Sequence, residues 1–181
     1  MQKFLLTAAA LILAPGAALA QSSTDTRQFD VIGTVPALCS GGTLVGGNGT
    51  FDLGVLIDTT TGLLRSDLSA PPKVLAGSFC SARSTINITA TAMTAQNYAG
   101  PAPAGFAQSV DYTATASGWT ATPAATNTAL SVNPGATQSR SSAFTGDITV
   151  ALSNFATRGG NALRLVADPS YRGLVTVTLT A

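Results

Sequence analysis

Two cysteines are the residues of this chain whose type and spacing most directly predict chemistry. Cys39 and Cys80 are its whole cysteine content, and it has no histidine. A metal site or a reactive thiol pair would need further ligands or a Cys-x-x-Cys motif beside them. In an exported protein, an even pair is most simply a disulfide, with Cα atoms about 4.4–6.8 Å apart. Closing a loop of this size stabilises a fold by roughly 4 kcal/mol in the chain-entropy treatment.

Candidates for catalysis are scarce. Without histidine, the commonest general base and metal ligand is missing. All eight acidic residues are aspartates, and they are scattered, without an Asp-x-Asp pair or a calcium-loop spacing. There is no Gly-x-Ser-x-Gly motif, and the nearest match to Ser-x-x-Lys, from Ser69 to Lys73, is one residue too long. The sequence therefore predicts a protein that is not an enzyme, with Asp-based hydrolysis as the alternative.

Three other features could bind or be modified. Asn48-Gly49-Thr50 and Asn87-Ile88-Thr89 match the glycosylation sequon, which is frequent by chance. The glycine-rich residues 40–49 lack the lysine and helix of a phosphate-binding loop, so they predict a flexible loop or a bulged edge. Trp119 could stack against a sugar, although a lone tryptophan more often caps a core.

The N-terminus has the features of a secretory signal peptide, Met1–Ala20. Lys3 is followed by an apolar run over residues 4–14, which is too short to span a bilayer. Ala18-Leu19-Ala20 fits signal-peptidase cleavage, which would leave Gln21 as the first residue; a retained anchor is the alternative. Losing Lys3 makes the remaining basic residues equal in number to the acidic ones. A neutral protein lacks the basic field that nucleic acid or an anionic membrane requires.

The composition favours strands and turns in a single domain. Charged residues are 9% of the sequence, against about a quarter in a usual protein. Thr, Ser, Ala, Gly and Asn replace them, which disfavours helix. No long segment has a period of 3.6 residues.

Alternating apolar residues predict an all-β, antiparallel sandwich. In the first predicted strand, Phe29, Val31, Gly33 and Val35 share one face, with Ile32 an apolar exception on the other. In the last, over residues 172–181, Val175, Val177 and Leu179 share one face. Further strands are expected at residues 51–57, 73–80, 84–93, 109–116, 146–155 and 163–166, with a short one at Leu130 and Val132. The predicted core comprises Ile86, Ile88, Val110, Tyr112, Ile148 and Val150.

The order of these features resembles the spore coat protein U-like domain, the pilin fold of archaic chaperone–usher pili. The first strand ends four residues before Cys39, and Cys80 leads directly into an alternating strand. The other matching pieces are Phe51-x-x-Gly54, Val110-x-Tyr112, Phe144-x-Gly146-x-Ile148, and Tyr171 followed by a Val-Thr-Val-Thr strand.

This resemblance implies an immunoglobulin-like sandwich that lacks its final strand. Val175, Val177 and Leu179 would then border an acceptor groove, and Phe29, Val31, Gly33 and Val35 would form a donor strand for another subunit. Residues 1–20 would be the signal peptide, 21–36 the donor segment and 37–181 the pilin domain. The implied partners are copies of the protein or related pilins, a periplasmic chaperone and an outer-membrane usher, without any cofactor.

A different class of function remains open on the sequence. The protein could be a stand-alone secreted sandwich that binds glycans or extracellular matrix through Trp119 and its polar loops. In that case residues 29–35 would pack inside their own domain.

Overall fold

The computed structural model describes residues 24–181, so the predicted signal peptide, Met1–Ala20, lies outside the described residues. The protein divides into two units, Met1–Thr34 and Val35–Ala181. The described part of the first unit has no regular secondary structure, and its residues are exposed. All strands of the described residues belong to the second unit.

Residues 24–181 form strands and no helix, which confirms the all-β prediction. The strands are β1 (Cys39–Ser40), β2 (Thr43–Val45), β3 (Lys73–Cys80), β4 (Ser84–Ala90), β5 (Met93–Ala95), β6 (Phe106–Ala107), β7 (Ser109–Ser117), β8 (Ala124–Asn127), β9 (Thr137–Arg140), β10 (Phe144–Thr157), β11 (Arg164–Leu165), β12 (Tyr171–Arg172) and β13 (Val175–Thr180). Long strands coincide with the runs of alternating apolar residues.

Two antiparallel sheets contain most of these strands. The larger sheet has the order β1–β3–β10–β7–β5–β12, with β2 also paired to β3 and β8 to β7. The smaller sheet has the order β13–β4–β9. A separate short pair, β6 and β11, is parallel. Strand β4 of the smaller sheet packs against β7 and β8 of the larger one, so the sheets face each other across the core.

The core residues predicted from strand phase are all buried, which confirms that phase. Ile86 and Ile88 project from β4, and their partners project from β7 and β10 of the opposite sheet. Ile86, Ile88, Val110 and Ile148 are fully buried, and Tyr112 and Val150 are nearly so. Trp119 is also fully buried, edge-on to the ring of Phe144 with their centroids 5.0 Å apart.

Two predicted strands divide because the backbone changes sheets within them. β4 belongs to the smaller sheet and β5 to the larger, and the same change separates β12 from β13. At this crossing a Cβ atom on Gly173 would lie only 2.6 Å from the carbonyl oxygen of Thr91. The Thr91 N–H donates to the Leu174 carbonyl, 2.9 Å away, and thereby holds the two crossing segments together.

Two other predicted strands were wrong. Residues 51–57 are coil with one isolated bridge, because Gly54 has a φ of 62° and its N–H donates to Asp52 Oδ1 in a local turn. Leu130 and Val132 lie in an exposed loop, since the strands of their segment are the neighbouring β8 and β9. Residues 29–35 pair with no strand among the described residues of this single copy, so the predicted donor strand stays a prediction.

The disulfide between Cys39 and Cys80 is confirmed. The two residues are direct cross-strand partners of β1 and β3. Their Cα atoms are 4.1 Å apart, just below the expected range. The bond joins the short edge strand β1 to the body of the larger sheet.

If the protein is exported, as residues 1–20 predict, we expect the disulfide to be quantitative. Intact mass after alkylation, with and without prior reduction, measures it. Two alkylated thiols in unreduced protein from the periplasm would contradict the pairing, whereas labelling only after reduction would support it.

Replacing Ile88 tests the core. Ile88→Ala should lower the free energy of unfolding by roughly 2–5 kcal/mol, because it leaves a cavity between tightly packed sheets. Urea denaturation measures the change, with Thr89→Ala on the exposed face of the same strand as the control. Equal effects of the two substitutions would mean that the strand phase is wrong.

Candidate functional site

The candidate site is the open edge of β13. This strand pairs with β4 in a register from Val175↔Ala90 to Thr180↔Thr85, and no other described strand pairs with it. In an edge strand, alternate backbone N–H and C=O groups point away from the neighbour and stay unpaired. The first strand of the larger sheet, β1, approaches this edge but forms no ladder with it. The edge of β13 that faces β1 therefore has no strand partner among the described residues.

Side chains on β13 alternate as the sequence predicts. Val175, Val177 and Leu179 are half-buried and pack against the core, whereas Thr176, Thr178 and Thr180 are exposed. The predicted acceptor residues thus share one face of an unpaired edge. That face is apolar, and nothing in the described residues covers it fully.

A groove of about 1070 Å³ begins beside the first residues of β13. One wall is the segment Gly49 to Ile57, and the other is Leu165 to Val175. The floor is formed by core residues, namely Met93, Tyr112 and Leu152. Apolar side chains line part of the groove, together with backbone groups and the charged side chains of Asp52, Asp168 and Arg172.

The two tyrosines of the groove are hydrogen-bond donors. Tyr112 donates its hydroxyl to the Thr91 carbonyl at 2.8 Å, and Tyr171 donates to the Val166 carbonyl at 2.8 Å. Burial raises the pKa of Tyr112 to about 12. Burial, together with the nearby charge of Asp168, raises the pKa of Tyr171 to about 12. Both phenols are therefore neutral near pH 7 and brace the backbone around the groove.

Asp168 is a charged residue of the groove wall that connects two segments through hydrogen bonds. Desolvation acts to raise the pKa of this carboxyl group, but hydrogen bonds from the backbone N–H groups of Ser170 and Asn97 outweigh it. The pKa of Asp168 is lowered overall, so its carboxylate is ionised at neutral pH. Its hydrogen bonds connect two loops. No nucleophile with a neighbouring base lines this groove. Within residues 24–181, no cluster of three or more His, Cys, Asp or Glu residues could hold a metal ion.

The predicted donor residues have a different environment. Phe29, Val31 and Val35 expose 87%, 98% and 87% of their surface. A Cβ atom added to Gly33 would have no neighbour within 4 Å. These residues belong to an unpaired segment whose apolar side chains face solvent.

Sequence reasoning missed most of the groove. The wall at residues 49–57 was expected to be a strand, and the wall at residues 165–174 was not recognised. The pattern Phe51-x-x-Gly54 was the available signal, because a glycine with positive φ ends an extended run. Trp119 was placed correctly in the core, and its complete burial leaves no face for a sugar to stack on.

No protein-family model, curated protein or solved structure matches this sequence. The part of the protein that the structure describes has no helix long and apolar enough to cross a membrane. The geometry of the β13 edge is consequently the main guide to function.

A buried carboxylate next to Tyr112 ties the groove floor to a neighbouring loop. Asp111 accepts hydrogen bonds from Thr128 Oγ1 at 2.9 Å and from Arg158 Nε at 3.0 Å. Burial acts to raise the pKa of Asp111, but the hydrogen bonds from Arg158 and Thr128 lower it overall. The arginine is half-exposed, which weakens the pair through solvent screening.

This carboxylate predicts a loss of stability in acid. Its pKa is lower in the folded state than in the unfolded state, so its contribution is present above about pH 4 and lost as pH falls through the folded pKa. Asp111→Asn should cost about 1–3 kcal/mol at neutral pH and less in acid. Urea denaturation of both proteins over this pH range measures the effect. Parallel stability curves would contradict it.

Proposed function

We propose that this protein is a secreted structural subunit of a surface fibre that polymerises by donor-strand complementation. The observation that carries the proposal is the unpaired edge of β13, whose inner face is apolar. The protein also holds an exposed segment, residues 29–35, whose apolar side chains alternate. The resemblance to spore coat protein U-like pilins supports the same function.

The edge of β13 lacks the usual protection against pairing. Natural edge strands are shielded by lysine, proline, bulges or inward-facing charges. The sequence of β13 is Val-Thr-Val-Thr-Leu-Thr, with none of these and with high β-propensity throughout. Such an edge is a template for another strand, and the exposed backbone groups supply most of the binding energy of β-augmentation.

Residues 29–35 have suitable properties for the donor. The segment is seven residues long in sequence, close to the six residues of β13. Burying Phe29, Val31 and Val35 stabilises a contact by roughly 1.5–3 kcal/mol per side chain, before ordering costs. Because the donor and acceptor surfaces differ, such contacts are head-to-tail and extend into a fibre.

In this proposal the sandwich is immunoglobulin-like and lacks its last strand. A periplasmic chaperone fills the groove after export, and an outer-membrane usher exchanges it for the donor strand of the next subunit. The protein then resides at the cell surface in a fibre of copies or related pilins, where it acts without a cofactor or catalysis. A disulfide is compatible with this oxidising route.

One observation disfavours the stand-alone glycan-binding alternative. Trp119 is fully buried, so its ring cannot serve as a binding platform.

Moving the donor segment tests the proposal in a single polypeptide. Residues 28–35 are deleted from the front and attached after Ala181 through an Asn-Gly turn, so that they return antiparallel to β13. Pro36 is kept because its carbonyl accepts a hydrogen bond from Ser81 Oγ at 3.2 Å. We expect a monomer whose Tm exceeds that of the protein lacking the segment by about 5 °C or more.

The matched control carries the same relocated segment with Phe29, Val31 and Val35 replaced by serine. Calorimetry and light scattering compare the three proteins. If the serine control is as stable as the protein with the relocated native segment, the apolar side chains of the donor do not contribute to its binding. If the unaltered mature protein is itself a stable monomer with Phe29 buried, the proposal is wrong.

Arginine substitutions on the two opposite faces of residues 29–35 provide a second test. Val31→Arg should leave the chaperone-bound subunit folded but stop fibre growth, because the charge would enter an apolar groove. Ile32→Arg places the same charge on the other face and should permit growth. Electron microscopy and sedimentation of fibres assembled from each variant measure the difference. Unfolding of the Val31→Arg subunit would instead support the stand-alone alternative.

A further inference from the structure

The exposed loop after β2 contains a peptide bond that is unusually reactive. Of the asparagines in the sequence, only Asn48 precedes a glycine. Asn48 and Gly49 are both exposed. Gly49 and Thr50 also line the groove that begins beside the first residues of β13. Without a side chain, Gly49 does not hinder approach of its backbone nitrogen to the asparagine side chain.

The local geometry favours ring closure at this bond. The Thr50 N–H donates to Asn48 Oδ1 at 3.2 Å, so the carboxamide is already folded towards the backbone that follows it. Addition of the Gly49 nitrogen to Cγ of Asn48 would place negative charge on this same oxygen. A hydrogen bond aimed at the oxygen that gains charge lowers the barrier to addition, as an oxyanion hole does.

From this arrangement we infer that Asn48 is a site of spontaneous deamidation in the folded protein. The Gly49 nitrogen loses its proton to base and bonds to Cγ of Asn48. The protonated base returns that proton to Nδ2, and the Cγ–Nδ2 bond breaks to release ammonia. The resulting succinimide then takes up one water and opens to aspartate or isoaspartate at position 48. No oxidant or enzyme is needed.

The modification would change the groove rim of an otherwise neutral mature protein. It adds one negative charge next to the wall that begins at Gly49. Its isoaspartate form also lengthens the backbone just before Phe51, a half-buried residue of that wall. The inference depends on the loop alone and does not require that the groove accept a donor strand.

Asn161 provides an internal reference. It precedes Ala162, and its Oδ1 accepts from the Thr157 N–H at 3.0 Å, so it is held back towards the preceding residues. Gly49→Ala provides a matched variant, because an added Cβ would meet only Leu44 Cδ2 at an ordinary 3.8 Å. The fold should therefore accept alanine while the bulkier residue slows ring closure.

The test incubates the full mature protein at neutral and mildly alkaline pH and follows both asparagines by peptide mass spectrometry with isoaspartate-sensitive fragmentation. We expect Asn48 to convert at a rate that rises with pH and is at least equal to its rate in guanidinium-unfolded protein. Gly49→Ala should slow conversion about tenfold or more, as a barrier higher by about 1.4 kcal/mol would. Conversion no faster than at Asn161, slower in the native than in the unfolded protein, or unchanged in Gly49→Ala would overturn the inference.

Discussion

A tight crossing at Gly173 fixes where the C-terminal strand lies. A side chain at this position would collide with the Thr91 carbonyl and approach the Tyr112 hydroxyl, so only glycine permits the contact. Tyr112 is itself buried in the core and donates to Thr91. At this contact the backbone passes between the two sheets in two neighbouring segments, from β4 to β5 and from β12 to β13. The second passage places β13 at the edge of the smaller sheet.

The consequence of that crossing is an incomplete arrangement of strands. β4 has partners on both sides, whereas β13 has one, and the neighbouring edge strand β1 is held in the larger sheet by its disulfide to β3. Along this edge, Val175, Val177 and Leu179 are only half-buried against the core, and β13 has no strand partner on its open side among the described residues. Because buried apolar surface and paired backbone groups both stabilise a sheet, a strand supplied from elsewhere would satisfy both deficits.

The low charge of the protein fits this arrangement. Its few ion pairs in the described part are largely local, and the one that bears on the core, between Asp111 and Arg158, braces the floor of the groove. The exposed face of the smaller sheet is mostly hydroxyl-bearing, with Thr176, Thr178 and Thr180 alternating along β13. Repulsion between copies would therefore be weak, as a protein that packs against itself requires.

Some features followed from the sequence alone. Period-two alternation placed Ile86, Ile88, Val110 and Ile148 in the core, since a strand that covers a core must turn every second side chain inward. The single pair of cysteines left one possible internal disulfide. Alternation also assigned Val175, Val177 and Leu179 to one face of the last strand.

Other features were decided only by the tertiary structure. Period two cannot distinguish a paired strand from coil, so residues 51–57 satisfied the pattern while a local turn at Gly54 kept them out of any sheet. Conversely, β8 and β9 are built of small and polar residues with no apolar signal, and their neighbours in the sheets hold them extended. The strand pattern by itself did not show that the edge of β13 is unpaired, which only the resemblance implied, because pairing depends on where distant segments such as Thr91 and Gly173 cross. Hydrogen-bonded neighbours are a property of the assembled sheet, whereas the sequence of one strand determines only which of its faces is apolar.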